Sequence, residues 1–273
     1  MNSMPSKQWV DTHFHVFHAG TAVQGARYTP QYSALLPDWM HRAQSVGIGR
    51  GVWVQPSFLG TDNHLMLSAL QAHPEMLRGV AVVDPDTGDA AVQAMHQAGV
   101  RGIRLNLASA SHDIPAWAQA HALWDSVRRL AWHVEIHTDQ GQLPGVLSQL
   151  PSDLPVVVDH MAKPHAATAT DPTLKALVKR AQHSAVHVKL SGAYRLGQVN
   201  ALTLASVLLN ELGSAALLWG SDWPCTNHEQ FANLEQLVAQ AHEWIGAEHM
   251  TQVMADNPLR LYWGADPVKH NGF

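Results

Sequence analysis

The sequence predicts an α/β fold, a distorted (β/α)8 TIM barrel forming one domain over residues 1–273, and three observations carry that expectation. Eight short runs rich in Val, Ile and Leu recur along the chain, at 9–15, 51–57, 79–84, 101–106, 133–138, 155–160, 186–191 and 216–222. Nearly continuous apolar runs are the pattern of parallel strands covered on both faces. Between them lie segments with apolar residues three and four apart, the spacing of amphipathic helices. Every run also ends in polar side chains, as strands do where they open into an active-site mouth. A doubly wound open sheet is the alternative, but eight repeats are many for it and no GxGxxG follows the first run.

The elements read in order as follows. In 9–15, "WVDTHFH", residues two apart share a face, so His13 and His15 point together into the mouth while Phe14 faces the helices. The helix at 36–46 stops before Gly47, and Asp62 or Asn63 caps the helix after the second run, "GVWVQPS". The third run, "GVAVVD", is followed by a helix at 88–98 that ends at Gly99. "RGIRLN" then leads to a helix over 116–131, and "HVEIHT" and "PVVVDH" supply strands five and six. Asp171 followed by Pro172 is a cap with proline in the first turn of the helix at 171–183. "VHVKLS", a helix ending before Gly213, and "ALLWGSD" complete the series, with no linker, low-complexity tract or close repeat.

Composition narrows the function. Hydrophobic types make up 46% and charged types 14%, which suits a large core. The net charge of −5 comes without a Lys/Arg stripe, which argues against nucleic acid as a partner. Cys225 is the sole cysteine, so no intramolecular disulfide forms and a reducing cytoplasm is expected. The first ten residues lack the apolar stretch of a signal peptide, and no run of about 18 apolar residues could span a membrane. The 19 histidines do not identify a site by number, and His73, His96, His121 and His242 read as surface or packing residues. Trp39, Trp117 and Trp244 cover helices or form an interface; monomer and homo-oligomer both remain open.

The last residues of the eight runs are His13 and His15, Gln55 and Ser57, Asp84, Arg104 and Asn106, His137, His160, Lys189 and Ser191, and Asp222. Four histidines and an aspartate at one mouth go beyond what a scaffold needs. No GxSxG elbow marks a serine nucleophile. A carboxylate flanked by imidazoles can instead move a proton from water and stabilise charge on a carbonyl oxygen. Arg104, Lys163 and Arg195 would bind an anionic substrate, with Ser57, Gln55, Tyr194 and Asn227 as hydrogen-bonding neighbours. Trp53 and Trp223 line the pocket or pack beneath it.

From "DTHFHVF" through "GIRLN", "VVVDHMAKP", "VKLSGAYR" and "LLWGSDWP" to "NPLRLYW", the chain resembles the amidohydrolase superfamily, in the amidohydrolase 2 branch that includes 2-pyrone-4,6-dicarboxylate lactonase and the sugar lactonases. The resemblance implies a carboxylic ester hydrolase that opens the lactone ring of a small anionic molecule. Asp222 would activate the water, and His13, His15 and His160 would polarise the carbonyl. It also implies turnover without a divalent metal. The alternative is one zinc or manganese ion among His13, His15, His137, His160 and Asp222; a two-metal site is not expected, because strand four lacks the bridging lysine. Where relatives often carry histidine in "DWPH", this chain has Cys225, read as a small wall residue. A metal-dependent decarboxylase of the same superfamily is the competing activity. The particular lactone, whether a pyrone, a muconolactone or a sugar-acid lactone, is not specified by these motifs.

Overall fold

A computed structural model describes residues 9–264. Eight parallel strands follow one another around a barrel: β1 (Trp9–Phe14), β2 (Ile48–Val54), β3 (Leu77–Ala81), β4 (Val100–Asn106), β5 (His133–His137), β6 (Val156–Val158), β7 (Val186–Leu190) and β8 (Leu217–Trp219). The covering helices are α1 (Leu36–Ser45), α2 (His64–Ala72), α3 (Asp89–Ala98), α4 (Pro115–Ala118), α5 (His121–Arg129), α6 (Leu143–Gln149), α7 (Pro172–Ala181), α8 (Ala201–Leu212), α9 (Leu234–Thr251) and α10 (Asn257–Trp263). The expected (β/α)8 architecture is therefore present. None of the described helices is long and apolar enough to cross a membrane.

Local signals explain most element ends. The Asp171 carboxylate accepts from the Thr173 amide at 2.8 Å, with Pro172 opening α7. Gly99 adopts φ 112° and terminates α3. At α2, Asp62 accepts from the His64 amide at 3.2 Å, whereas Asn63 turns to the end of β3 and bonds both backbone groups of Val82. The single helix expected over 116–131 is broken into α4 and α5. Ala120 leaves the helical region at ψ 46°, and the indole of Trp124 donates to the Trp117 carbonyl at 2.8 Å. β6 and β8 have only three residues each, so the ends of their runs, 159–160 and 220–222, leave the ladder and are free to build a site.

Inside the barrel, Val52, Val54, Val80, Val157 and Leu218 form an apolar layer with Tyr262 of α10 against it. Outside, Phe14 stacks on Trp39 of α1 with centroids 3.9 Å apart, which confirms its expected direction. A Cβ on Gly51 would lie 2.4 Å from Trp39, so this contact requires glycine. Trp39 and Trp244 are buried and Trp117 is half-buried, all three packed into the shell.

The barrel closes at the mouth. The His15 amide donates to the Trp223 carbonyl and the Asp222 amide to the His13 carbonyl, both at 2.8 Å, while the Thr12 hydroxyl donates to the Trp219 carbonyl at 2.7 Å. Asp11 organises this seam. Its buried carboxylate accepts from the Ser221 amide (2.8 Å), the Ser221 hydroxyl (2.6 Å), the His13 amide (3.1 Å) and the Trp39 indole (3.0 Å). Removing it strands buried donors at about 1–3 kcal/mol each. We therefore expect Asp11→Ala to lower unfolding free energy by at least about 3 kcal/mol in urea titration; an unchanged midpoint would show that the seam holds without this carboxylate.

Candidate active site

Above the apolar layer, two cations and two carboxylates are sealed in the barrel: Arg104, Lys189, Glu135 and Asp159 are each at most 4% exposed. Lys189 Nζ donates to Glu135 Oε2 at 2.5 Å and lies 3.6 Å from Asp159 Oδ1; Arg104 Nη2 donates to Asp159 Oδ2 at 3.1 Å. The group is neutral as a whole, which is the condition for burying such charges. Burial and the neighbouring Asp159 charge push the Glu135 carboxyl up to about 7, against the pull of Lys189. Asp159 is buried as deeply, but the groups around it hold its carboxyl well below the usual range.

On this layer rests His13, fully buried, with Nδ1 3.2 Å from Asp159 Oδ1 and 3.2 Å from Lys189 Nζ. Its Nε2 lies 3.3 Å from His15 Nε2. His15 donates from Nδ1 to the Val54 carbonyl at 2.7 Å, which aims its Nε2 at His13 and Asp222. The two rings therefore meet as expected, but only His15 reaches the cavity wall; His13 is one layer deeper.

His160 enters from an unusual turn. Residues His160, Met161, Ala162 and Lys163 take φ of 51°, 54°, 62° and 43°, four successive left-handed positions one residue after β6. The turn delivers the imidazole over the cavity, with Nδ1 3.0 Å from Ser191 Oγ. Gly192 supplies the space, since a Cβ there would lie 2.7 Å from His160 Nδ1. Burial holds His160 at about 3 and keeps His13 and His137 well below the ordinary histidine range. All three are neutral near pH 7 and so each offers one lone pair and one N–H group.

Asp222, also left-handed at φ 57°, faces these rings. Oδ1 is 3.4 Å from His15 Nε2 and 3.6 Å from His13 Nε2. Oδ2 accepts from Tyr194 Oη at 2.6 Å and Arg195 Nε at 2.9 Å, which locks the carboxylate plane and leaves Oδ1 free to act. Burial would raise the Asp222 pKa; the Arg195 guanidinium, together with His160, His15 and His13, outweighs it and holds the carboxyl well below the usual range.

A cavity of about 550 Å³ lies above, within the size of ordinary small-molecule sites. Ser57, Arg104, His137, His160, Arg195, Asp222 and Asn227 line it, as the sequence suggests. Gln55 does not. Its amide turns away and donates to the Asp62 carbonyl at 2.6 Å, a structural role that removes it from the substrate-binding set. Lys163 also falls outside the lining, half-buried at the end of the left-handed turn with its pKa lowered by burial. Tyr194 acts through Asp222 and is outside the lining as well. Cys225, expected as a wall residue, lies outside the lining: it is buried, its Sγ 3.8 Å from the Ser221 carbonyl, and burial pushes the thiol up to about 12, which disfavours the reactive thiolate. The sequence reading missed Arg27, Tyr28 and Thr226 in the lining and Asp11, Glu135 and Asp159 beneath it.

The amidohydrolase family model matches residues 10–263. This chain belongs to the amidohydrolase family. It is 31% identical to the 2-pyrone-4,6-dicarboxylate hydrolase of Comamonas testosteroni, over 93% of this chain and 90% of the relative. A 4-sulfomuconolactone hydrolase of Rhizobium radiobacter is 28% identical, over 95% and 91%. Among solved structures, a candidate 2-pyrone-4,6-dicarboxylic acid hydrolase from Pseudomonas putida superposes with a TM-score of 0.84 at 34% identity, covering 95% of this chain and 98% of its own. A 2,6-dihydroxybenzoate decarboxylase shares the fold at a TM-score of 0.63 and 14% identity.

Amidohydrolases often use a metal, and the donor set here fits one ion. His13 Nε2, His15 Nε2 and Asp222 Oδ1 are separated by 3.3, 3.4 and 3.6 Å. An ion in tetrahedral coordination at about 2.0–2.2 Å spaces its ligands by roughly 3.3–3.6 Å. The five-residue set expected from sequence is divided, however. Among the described residues, one group of converging ligand atoms comprises His13, His15 and Asp222, and a second comprises His13, Asp159 and His160. His137 belongs to neither. Both its ring nitrogens lack partners, and its ring meets His160 edge-on at 4.6 Å on the cavity wall, which suits a contact with substrate.

With Arg195 offsetting burial, Asp222 stays ionised to below the ordinary carboxylate range of about 3.9 and protonates only under stronger acid. In Arg195→Met the largest group opposing burial is gone, so the Asp222 titration seen by carboxyl-carbon NMR should move upward. An unshifted midpoint would assign the stabilisation to other groups.

Proposed function

We propose that this amidohydrolase opens the ring of a small anionic lactone by attack of water, with Asp222 as base. The observation that carries the reading is the half-used Asp222 carboxylate: Oδ2 is fixed by Tyr194 and Arg195 while Oδ1 faces His13, His15 and the cavity. The lactone-hydrolase names of the relatives supply the substrate class.

A water at Oδ1 gives its proton to Asp222 as its oxygen attacks the lactone carbonyl. His15 Nε2, aimed by the bond to Val54, orients that water. When Ser191 donates to His160 Nδ1, His160 Nε2–H is left to donate toward the developing oxyanion. Collapse of the tetrahedral intermediate breaks the bond to the ring oxygen, and the proton held on Asp222 passes to it. The product is a hydroxy acid or its keto tautomer, with one water consumed. Arg195 uses only Nε on Asp222, which leaves its terminal nitrogens to bind a substrate anion. Arg104, Ser57, Asn227 and His137 complete the pocket.

Should one zinc or manganese ion bind, His13, His15 and Asp222 would hold it, and it would lower the pKa of a water and supply positive charge at the carbonyl. The chain's own groups suffice for each step above, so we assign no required metal. The decarboxylase alternative is disfavoured because its named representative is only 14% identical.

Purified protein should hydrolyse at least one carboxylated or sulfonated lactone in a panel, and Asp222→Asn should lower kcat about 10²–10⁴-fold with an unchanged circular-dichroism spectrum. No turnover of any lactone, with carbon dioxide released from an aromatic acid, would reassign the activity. After exhaustive chelation, with metal content measured on the same sample, turnover should persist. Loss restored by zinc or manganese would convert His13, His15 and Asp222 into a required metal site.

A further inference from the structure

Two imidazoles belong to the group whose spacing fits one ion, and their far nitrogens face opposite kinds of partner. A metal-ligating imidazole ordinarily donates its second N–H to a carboxylate, a carbonyl or water. His15 follows that rule, with Nδ1 on the Val54 carbonyl at 2.7 Å. His13 does not. Its Nδ1 is hydrogen-bonded to Lys189 Nζ at 3.2 Å. Asp159 Oδ1 is equally near at 3.2 Å, yet it has no hydrogen-bond partner.

An ammonium carries three hydrogens and no lone pair, so in this bond Lys189 donates and His13 Nδ1 accepts. Lys189 is fixed from its other side by Glu135 Oε2 at 2.5 Å, and both side chains are fully buried. Burial also keeps His13 neutral, with one ring hydrogen. With Nδ1 occupied as an acceptor, that hydrogen is on Nε2, the atom 3.3 Å from His15 Nε2 and 3.6 Å from Asp222 Oδ1. An ion among these three atoms needs a lone pair there. Supplying one moves the hydrogen from Nε2 to Nδ1, where it meets the Lys189 ammonium.

We propose that Lys189 is a positioning residue that holds His13 as its Nε2–H tautomer, so that His13, His15 and Asp222 keep the spacing of a divalent-metal site but present it with a hydrogen in place of one ligand lone pair. Lys189 therefore opposes zinc binding at the reaction centre. Without it, Asp159 becomes the carboxylate partner of His13 Nδ1–H and the group turns into a ligand set. The inference rests on the donor set assigned above and deepens that assignment, but it does not depend on which ring is opened.

The test needs no substrate. Histidine nitrogen NMR on metal-free protein, with the His13 signals identified by their loss in His13→Gln, should find the hydrogen on Nε2 in wild type. A hydrogen on Nδ1 would overturn the proposal without any Lys189 variant. Removing Lys189 alone leaves the buried group one positive charge short, so the comparison uses Lys189→Met combined with Glu135→Gln, which keeps Arg104 and Asp159 as a neutral pair. Glu135→Gln alone is the control. In the double variant the His13 hydrogen should move to Nδ1, and calorimetry at one fixed pH should show zinc bound about tenfold to a hundredfold more tightly than by the control. Equal affinity in the two would remove the role of Lys189. Adding Asp222→Asn should cancel the gain; a gain that survives belongs to other histidines and would also overturn the proposal. Absence of lactone turnover by wild type would overturn the proposed reaction and leave this comparison standing.

Discussion

Neutralising charge inside the barrel is the constraint that orders the rest of this molecule. Glu135, Asp159 and Lys189 are buried and Arg104 reaches only the cavity, so each position is determined by the others. The cost of burying any one ion alone exceeds what a single hydrogen bond returns. From that layer upward, orientation is inherited. Asp159 and Lys189 set the Nδ1 side of His13, His13 presents Nε2 to His15, and the pair faces Asp222. A site built on packed strands with such a foundation loses little entropy when substrate arrives.

The polarity of the site is uneven in a useful way. His13, His137 and His160 are neutral because burial keeps them so, while the site's permanent charges are arginines and a carboxylate that does not protonate near neutrality. Tyr194 strengthens this arrangement from outside the cavity, stacked on Phe231 with centroids 5.0 Å apart and its hydroxyl on Asp222.

The sequence disclosed the barrel and the strand-end chemistry because both follow simple periods: apolar runs for strands, three-and-four spacing for helices, and polar ends at one mouth. It disclosed His13, His15, His160 and Asp222 through position as well as motif. Gln55 was misread although a signal existed. Val52 and Val54 face the barrel interior, so alternation turns Gln55 away. Lys163 was misread because the left-handed turn after β6 has no signature in residue type. Arg27 and Tyr28 were missed because residues 15–35 carry almost no regular structure, and such a segment has no period to interpret. Asp11, Glu135 and Asp159 were hidden inside strand runs, where a carboxylate reads as an interruption until its partners are known.

The segment of residues 15–35 has a further consequence. It attaches to the rest of the barrel through Val54, Ser57, Phe58, Asn106, Trp223 and Glu229, and its His15 meets Asp222 Oδ1 at 3.4 Å. The strand-end groups around Asp222 and the cavity wall formed by Arg27 and Tyr28 thus come from different parts of the chain. Duplicated genes of this family could diversify by rewriting one surface excursion while inheriting an unaltered reaction centre, and a protein engineer could graft such excursions between relatives for the same reason.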